Sequence, residues 1–181
     1  MSIEALRLPA YARDIATNLS VLARETVLSD QAKWGCFVAS AHAVGEPSTI
    51  RALAGAAQAG GLSPEGFDAA RTAAAIMAMN NVYFRALHLM TAPDYRDLPS
   101  RLRMNRLSRP SVSAVDYELW CVAVSAINGC GACLDAHEAE LRERGVAPIQ
   151  VQAALRIAAV VNAVGRVLAA EAAANPRKWG V

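Results

Sequence analysis

Three features of the sequence predict an all-α fold. Hydrophobic residues fill 54% of the 181 positions but aromatic residues only 6%, so the core must be built mostly from Ala, Leu, Val and Ile, which suits closely packed helices better than a β-sandwich. Apolar residues recur at helical spacing, as Ile15, Leu19 and Leu22 do near the start. Capping residues, Pro and Gly punctuate the chain in the order that starts and stops helices. The length suits one domain with a substantial core, read here as a single domain over residues 1–181.

Pro9 opens a first helix from Ala10 to about Thr26. Ser29 or Asp30 caps a second that runs to about Val44, where Gly45-Glu46-Pro47 stops it. Ser48 or Thr49 is expected to start a short third helix ending at Gly60-Gly61. Ser63-Pro64-Glu65 combines a capping hydroxyl, Pro at the first helical position and an acid in the first turn, and the helix it opens runs to about Met90. Pro93, Pro99 and Pro110 break the pattern between Thr91 and Pro110, leaving a connecting segment with one short helix expected at residues 100–107. Ser113-Ala114-Val115-Asp116 resembles a capping box and starts the helix that carries Glu118. Asn128-Gly129 stops it, a cysteine-bearing helix follows to about Arg144 with Gly145 as its terminal glycine, and Ala147-Pro148 opens a last long helix that Asn175-Pro176 ends.

This order suggests an internal repeat of two halves, at about residues 29–90 and 113–175. At an offset of 85, Ser40-Ala41 matches Ser125-Ala126, and Arg71, Ala73, Ala74, Ala78 and Val82 match Arg156, Ala158, Ala159, Ala163 and Val167. Gly45 and Ser48 then stand where Cys130 and Cys133 stand, so the first half has no cysteine pair of its own.

Several function classes are disfavoured by composition. A net charge of +2 is too small to point to nucleic acid or another polyanion. Met1-Ser2-Ile3-Glu4 lacks the basic start and apolar run of a signal peptide. The most apolar stretches, residues 69–82 and 151–174, are interrupted by Arg71, Arg156 and Arg166, against membrane spans. Four cysteines in such a chain fit the reducing cytoplasm, where a CxxC pair is catalytic or metal-binding more often than a structural staple.

The chemistry is concentrated between Glu118 and His137. Cys130 and Cys133 lie one helical turn apart, a separation that suits a disulfide. If a helix begins near Cys130, Cys133 falls in its first turn, where unpaired N–H groups and the helix dipole favour a thiolate. His137 follows Cys133 by four residues and shares its face. Glu118 stands about ten residues before the Asn128-Gly129 break and His137 about eight after it, so in an antiparallel helix pair they lie roughly 15 and 12 Å from the turn and can meet. A carboxylate on one imidazole nitrogen fixes the tautomer and leaves the other for proton transfer to or from a thiol. Zinc ligation by Cys130, Cys133, His137 and Glu118 is the competing reading, but structural zinc sites usually draw on a second close Cys/His pair, which neither Cys36 nor Cys121 has. Haem attachment is excluded because Leu134, not His, follows the pair.

The remaining singular residues have plain readings. Cys36 and Cys121 are expected to act as small core hydrophobes, Trp34 and Trp120 as packing residues, and Met77, Met79 and Met90 as core. His42 and His88 are isolated and receive no role. The basic run Arg96, Arg101, Arg103, Arg106 and Arg109 reads as a solvated, subunit-bridging or carrier-docking surface.

Glu118-Leu119-Trp120, Ala123-Val124-Ser125-Ala126-Ile127-Asn128-Gly129-Cys130, Cys133-Leu134 and Ala136-His137-Glu138 closely resemble the alkyl hydroperoxidase D (AhpD) family of the carboxymuconolactone decarboxylase-like superfamily. Met1-Ser2-Ile3-Glu4, the run from Ile76 to Val82, and Leu102-Arg103-Met104-Asn105 extend the resemblance over essentially the whole chain. It implies an all-α duplicated fold assembled as a homotrimer, with no bound cofactor. It further implies an antioxidant alkyl hydroperoxide reductase. In the family, dihydrolipoyl groups on a lipoyl-carrying subunit of a 2-oxoacid dehydrogenase complex reduce the dithiol, which reduces organic hydroperoxides and the peroxiredoxin AhpC. Carried over by position, Cys133 is the peroxide-attacking thiolate, Cys130 its disulfide partner, and His137 with Glu118 the proton relay. Relatives carry a second histidine between the cysteines, where this sequence has Ala132. Two rival functions are a dithiol adaptor that passes electrons to a peroxiredoxin with little peroxidase activity of its own, and a lactone decarboxylase that needs no cysteine pair.

Overall fold

A computed structural model describes residue 3 and residues 6–95, 97–104 and 112–175. All seven α-helices among them fall where the sequence signals place them. They are α1 (Arg13–Arg24, preceded by a 3-10 turn at Ala10–Ala12), α2 (Asp30–Val44), α3 (Pro47–Ala59), α4 (Pro64–Leu89), α5 (Ala114–Ile127), α6 (Gly131–Glu143) and α7 (Pro148–Ala174). No strand occurs among the described residues. A shift of 85 residues carries the bounds of α2, α3 and α4 onto those of α5, α6 and α7 to within two residues.

Side chains that satisfy the first N–H groups mark the starts of α2, α3, α4 and α6. Ser29 Oγ accepts from Ala32 N–H at 3.1 Å, and Ser63 Oγ accepts from Gly66 N–H at 3.0 Å. Gly45, at φ 79°, closes α2 in the left-handed conformation that only glycine adopts without strain. Three expectations need correction. The cap of α3 is Glu46, not Ser48 or Thr49: with Pro47 at the first helical position, the Glu46 carboxylate takes the N–H groups of Ser48 (2.9 Å) and Thr49 (2.6 Å). Ser113 holds the cap position of α5, but its side chain makes no capping bond, so the capping box does not form. The short helix expected at 100–107 is absent over residues 100–104, and its remainder lies outside the described residues.

At the centre of the fold α2 and α5 pack on each other and each on α4 and α7. Each is buried nearly all round: residues 32–41 of α2 form an unbroken buried run, as do Leu119 to Ser125 of α5. At their crossing the Trp120 indole lies on the α2 backbone, with Nε1–H donating to Ala32 O at 3.0 Å. A Cβ at Gly35 would fall inside that indole. Gly35→Ala should therefore destabilise the fold by about 1–3 kcal/mol, read as a lowered urea midpoint with an unchanged slope. An unchanged midpoint would contradict this packing.

By length and composition α7 would suffice to cross a membrane. In the fold it is a core helix, packed on α1, α2, α3 and α5, with Arg156 paired to Glu25 at 2.5 Å. Trp34, Trp120, Cys36, Cys121 and Met77 are buried as expected, but Met79 is only half-buried and Met90 is 36% exposed. Met79 lies between buried Met77 and Asn80 but is turned partly away from them, and Met90 is the residue that caps α4 at its C-terminal end. Arg101 and Arg103 of the basic run are exposed, while Arg96, Arg106 and Arg109 lie outside the described residues.

Candidate active site

The turn between α5 and α6 positions the cysteine pair. Gly129 at φ 66° reverses the chain, its N–H bonds Ala126 O at 3.2 Å, and the Cys130 N–H bonds Ser125 O at 3.1 Å. This pairing is a Schellman motif, and it delivers Cys130 to the cap position of α6. Cys130 and Cys133 are joined by a disulfide, with Cα atoms 5.3 Å apart. The sulfur at the helix end belongs to Cys130: its Sγ accepts from the Cys133 N–H at 3.3 Å. Cys133 lies in the first turn of α6, where the sequence places it, and its own N–H is the one directed at the Cys130 sulfur. Cys130 is wholly buried, whereas Cys133 is 6% exposed and opens into a cavity.

His137 and Glu118 meet as the helix count predicts. The Glu118 carboxylate accepts from His137 Nδ1–H at 2.6 Å, with the imidazole 12% and the carboxylate 16% exposed. This bond fixes the ring and turns Nε2 toward the Met77 thioether, 3.3 Å away. A thioether has no hydrogen to donate and accepts only weakly, so Nε2 has no strong partner there.

A stripe of α4 at helical spacing completes the site. Met77, Asn80 and Phe84, with Met104, Ala132 and Ala136, line a cavity of about 320 Å³ that also holds Cys133 and His137. Beside it, Asn81 donates from Nδ2 to Ser125 Oγ at 3.0 Å and accepts from Asn128 Nδ2 at 2.9 Å, while Arg85 donates to the Asn128 carbonyl. These bonds tie α4 to the turn that carries Cys130. The α4 residues are the part of the site that the sequence reading missed, since it placed Met77 in the core without a role. The available signal was Asn80-Asn81, two adjacent amides that follow the apolar run Ala73 to Met79 of α4.

Among the described residues no three of His, Cys, Asp and Glu converge to hold a metal ion. Burial pushes the thiols of Cys36 and Cys121 well above the ordinary cysteine range, aided by the charges of Asp116 near Cys36 and Glu118 near Cys121. A raised pKa removes the reactive thiolate. Iodoacetamide at about pH 8 should leave both unmodified in the native protein and modify them in denaturant, as checked by peptide mass. Labelling of Cys36 in the native state would contradict their burial.

The Carboxymuconolactone decarboxylase family model matches residues 93–176. An alkyl hydroperoxide reductase AhpD of Caulobacter vibrioides is 64% identical, over 98% of each chain. The chain belongs to the AhpD family. AhpD proteins of Hyphomonas neptunium (60% identical, over 96% of this chain and 97% of the relative) and Maricaulis maris (59%, over 94% and 99%) agree with it in extent. Within this AhpD-family chain, Ala132 forms an apolar part of the cavity wall, beside the sulfur pair.

Proposed function

We propose that the protein is an antioxidant, thiol-based alkyl hydroperoxide reductase that cycles between the Cys130–Cys133 dithiol and its disulfide. The observation that carries this reading is a disulfide opening through Cys133 alone into an apolar cavity that His137, bonded to Glu118, also lines.

In the reduced protein the Cys133 thiolate attacks the terminal oxygen of a hydroperoxide. An S–O bond forms, the O–O bond breaks, and the organic fragment leaves as an alkoxide that takes a proton, giving a sulfenic acid and an alcohol. The Cys130 thiol then displaces hydroxide from that sulfur, forming the disulfide and water. His137, held by Glu118, carries protons between the thiols and the cavity. A dithiol donor reverses the bond by attacking Cys133, the sulfur within reach. Cys130 then departs as a thiolate, where the Cys133 N–H and the end of α6 receive the charge.

The donor in this reading is a dihydrolipoyl group on the lipoyl-carrying subunit of a 2-oxoacid dehydrogenase complex, and the peroxiredoxin AhpC is a further electron acceptor. The protein works in the cytoplasm as a homotrimer with no bound cofactor. A steady-state assay with cumene hydroperoxide and dihydrolipoamide, with and without the peroxiredoxin, tests this. Substantial turnover without the peroxiredoxin supports the reductase. Turnover only in its presence replaces that reading with the adaptor.

A further inference from the structure

Asn80 lines the cavity for a reason that packing does not supply. The residue is only 4% exposed, it shares the cavity with Cys133 and His137, and its Oδ1 has no hydrogen-bond partner among the described residues. The adjacent Asn81 differs, since its amide bonds both Ser125 and Asn128. A shielded amide oxygen left without a partner destabilises a fold, and an apolar side chain of the same shape removes that penalty. The neighbouring walls are apolar, formed by Met77, Phe84, Ala132 and Ala136. One carboxamide in such a surface is how a pocket fixes the orientation of a ligand whose body is apolar and whose reacting end is polar.

We propose that Asn80 binds the hydroperoxide group during attack by Cys133, an inference that rests on the reductase reading above. Its Oδ1 accepts from the terminal O–H, and its Nδ2–H donates to the inner oxygen. As the Cys133 sulfur bonds to the terminal oxygen, the electron pair of the broken O–O bond stays on the inner oxygen, and the amide N–H stabilises that growing charge until a proton arrives through His137. The sulfur is oxidised and the hydroperoxide reduced to an alcohol. The organic substituent faces the apolar walls. Reopening of the disulfide by a dithiol involves no such oxygen pair and does not use Asn80.

The two half-reactions therefore separate the proposal from a structural role. Reduced wild type, Asn80→Leu and Asn80→Ala are mixed with cumene hydroperoxide and disulfide formation is timed; the oxidised proteins are then mixed with dihydrolipoamide and disulfide opening is timed. Both variants should be oxidised about 10- to 100-fold more slowly than wild type. Their reduction should change by less than about threefold, and the melting temperature of Asn80→Leu should be equal to or above that of wild type. Oxidation at the wild-type rate overturns the role of Asn80 while leaving the reductase reading standing. An equal fall in both half-reactions, or failure of both variants to fold, makes the amide structural and overturns it too. If cumene hydroperoxide does not oxidise wild type, the reductase reading itself fails and this inference falls with it.

Discussion

Cys133→Ser should abolish hydroperoxide turnover, to below about one part in 10³ of wild type, while leaving the helical circular-dichroism spectrum unchanged. The loss is expected to be near complete because Cys133 is the one sulfur of the pair that opens into the cavity, and a serine hydroxyl is not ionised near neutral pH. Cys130 cannot replace it, being wholly buried behind the first turn of α6. The fold should survive because the packed core runs through α2, α5 and α7 and includes neither cysteine of the pair. The disulfide spans a sequence separation of only 3, and closing so short a loop contributes about 2 kcal/mol in the chain-entropy account. A variant that turns over hydroperoxide at a tenth of the wild-type rate or faster would contradict the assignment of Cys133.

The second large effect is expected at Glu118. Glu118→Ala removes the acceptor of the 2.6 Å bond from His137 Nδ1–H and leaves a largely buried imidazole free to rotate or change tautomer. Turnover should fall by about 10²–10⁴, the usual range for a positioned proton-transfer group, and stability by about 1–3 kcal/mol for the unpaired polar group. Glu118→Gln keeps an acceptor of the same shape without the charge, so its activity should lie between those of Glu118→Ala and wild type. Steady-state kinetics of the three proteins checks the order. Equal activity in all three would show that the pair holds the helices together without serving the chemistry.

The sequence displays the helices more clearly than it displays the site. Ser29, Ser63, Gly45 and Gly145 act within a few residues of themselves, and the helix ends fall where they predict. Glu118 and His137 could be paired by counting because one tight turn joins their helices. The α4 wall of the cavity could not be found this way. Met77, Asn80 and Phe84 come from a helix separated from the cysteines by a long connection, and periodicity says which face of α4 is buried but not what lies against it. Asn81 reaches Ser125 across 44 residues of sequence through the docking of α4 on α5, and no local pattern encodes that distance. Small errors had local causes. Glu46 won the cap of α3 because a carboxylate just before Pro47 can take two N–H groups at once, ahead of the hydroxyls of Ser48 and Thr49. The N–H that reaches a sulfur was likewise not foreseen: Cys133 lies in the first turn of α6 as expected, and its own N–H bonds the Cys130 sulfur.

The central claim is that Cys130 and Cys133 exchange one covalent bond for two electrons at the mouth of α6. Adding one equivalent of cumene hydroperoxide to the reduced protein and mapping its peptides by mass tests it most directly. The account predicts a single new linkage, between Cys130 and Cys133, that dihydrolipoamide reverses while Cys36 and Cys121 remain thiols. Recovery of all four thiols unchanged, or a linkage through Cys36 or Cys121, would contradict it.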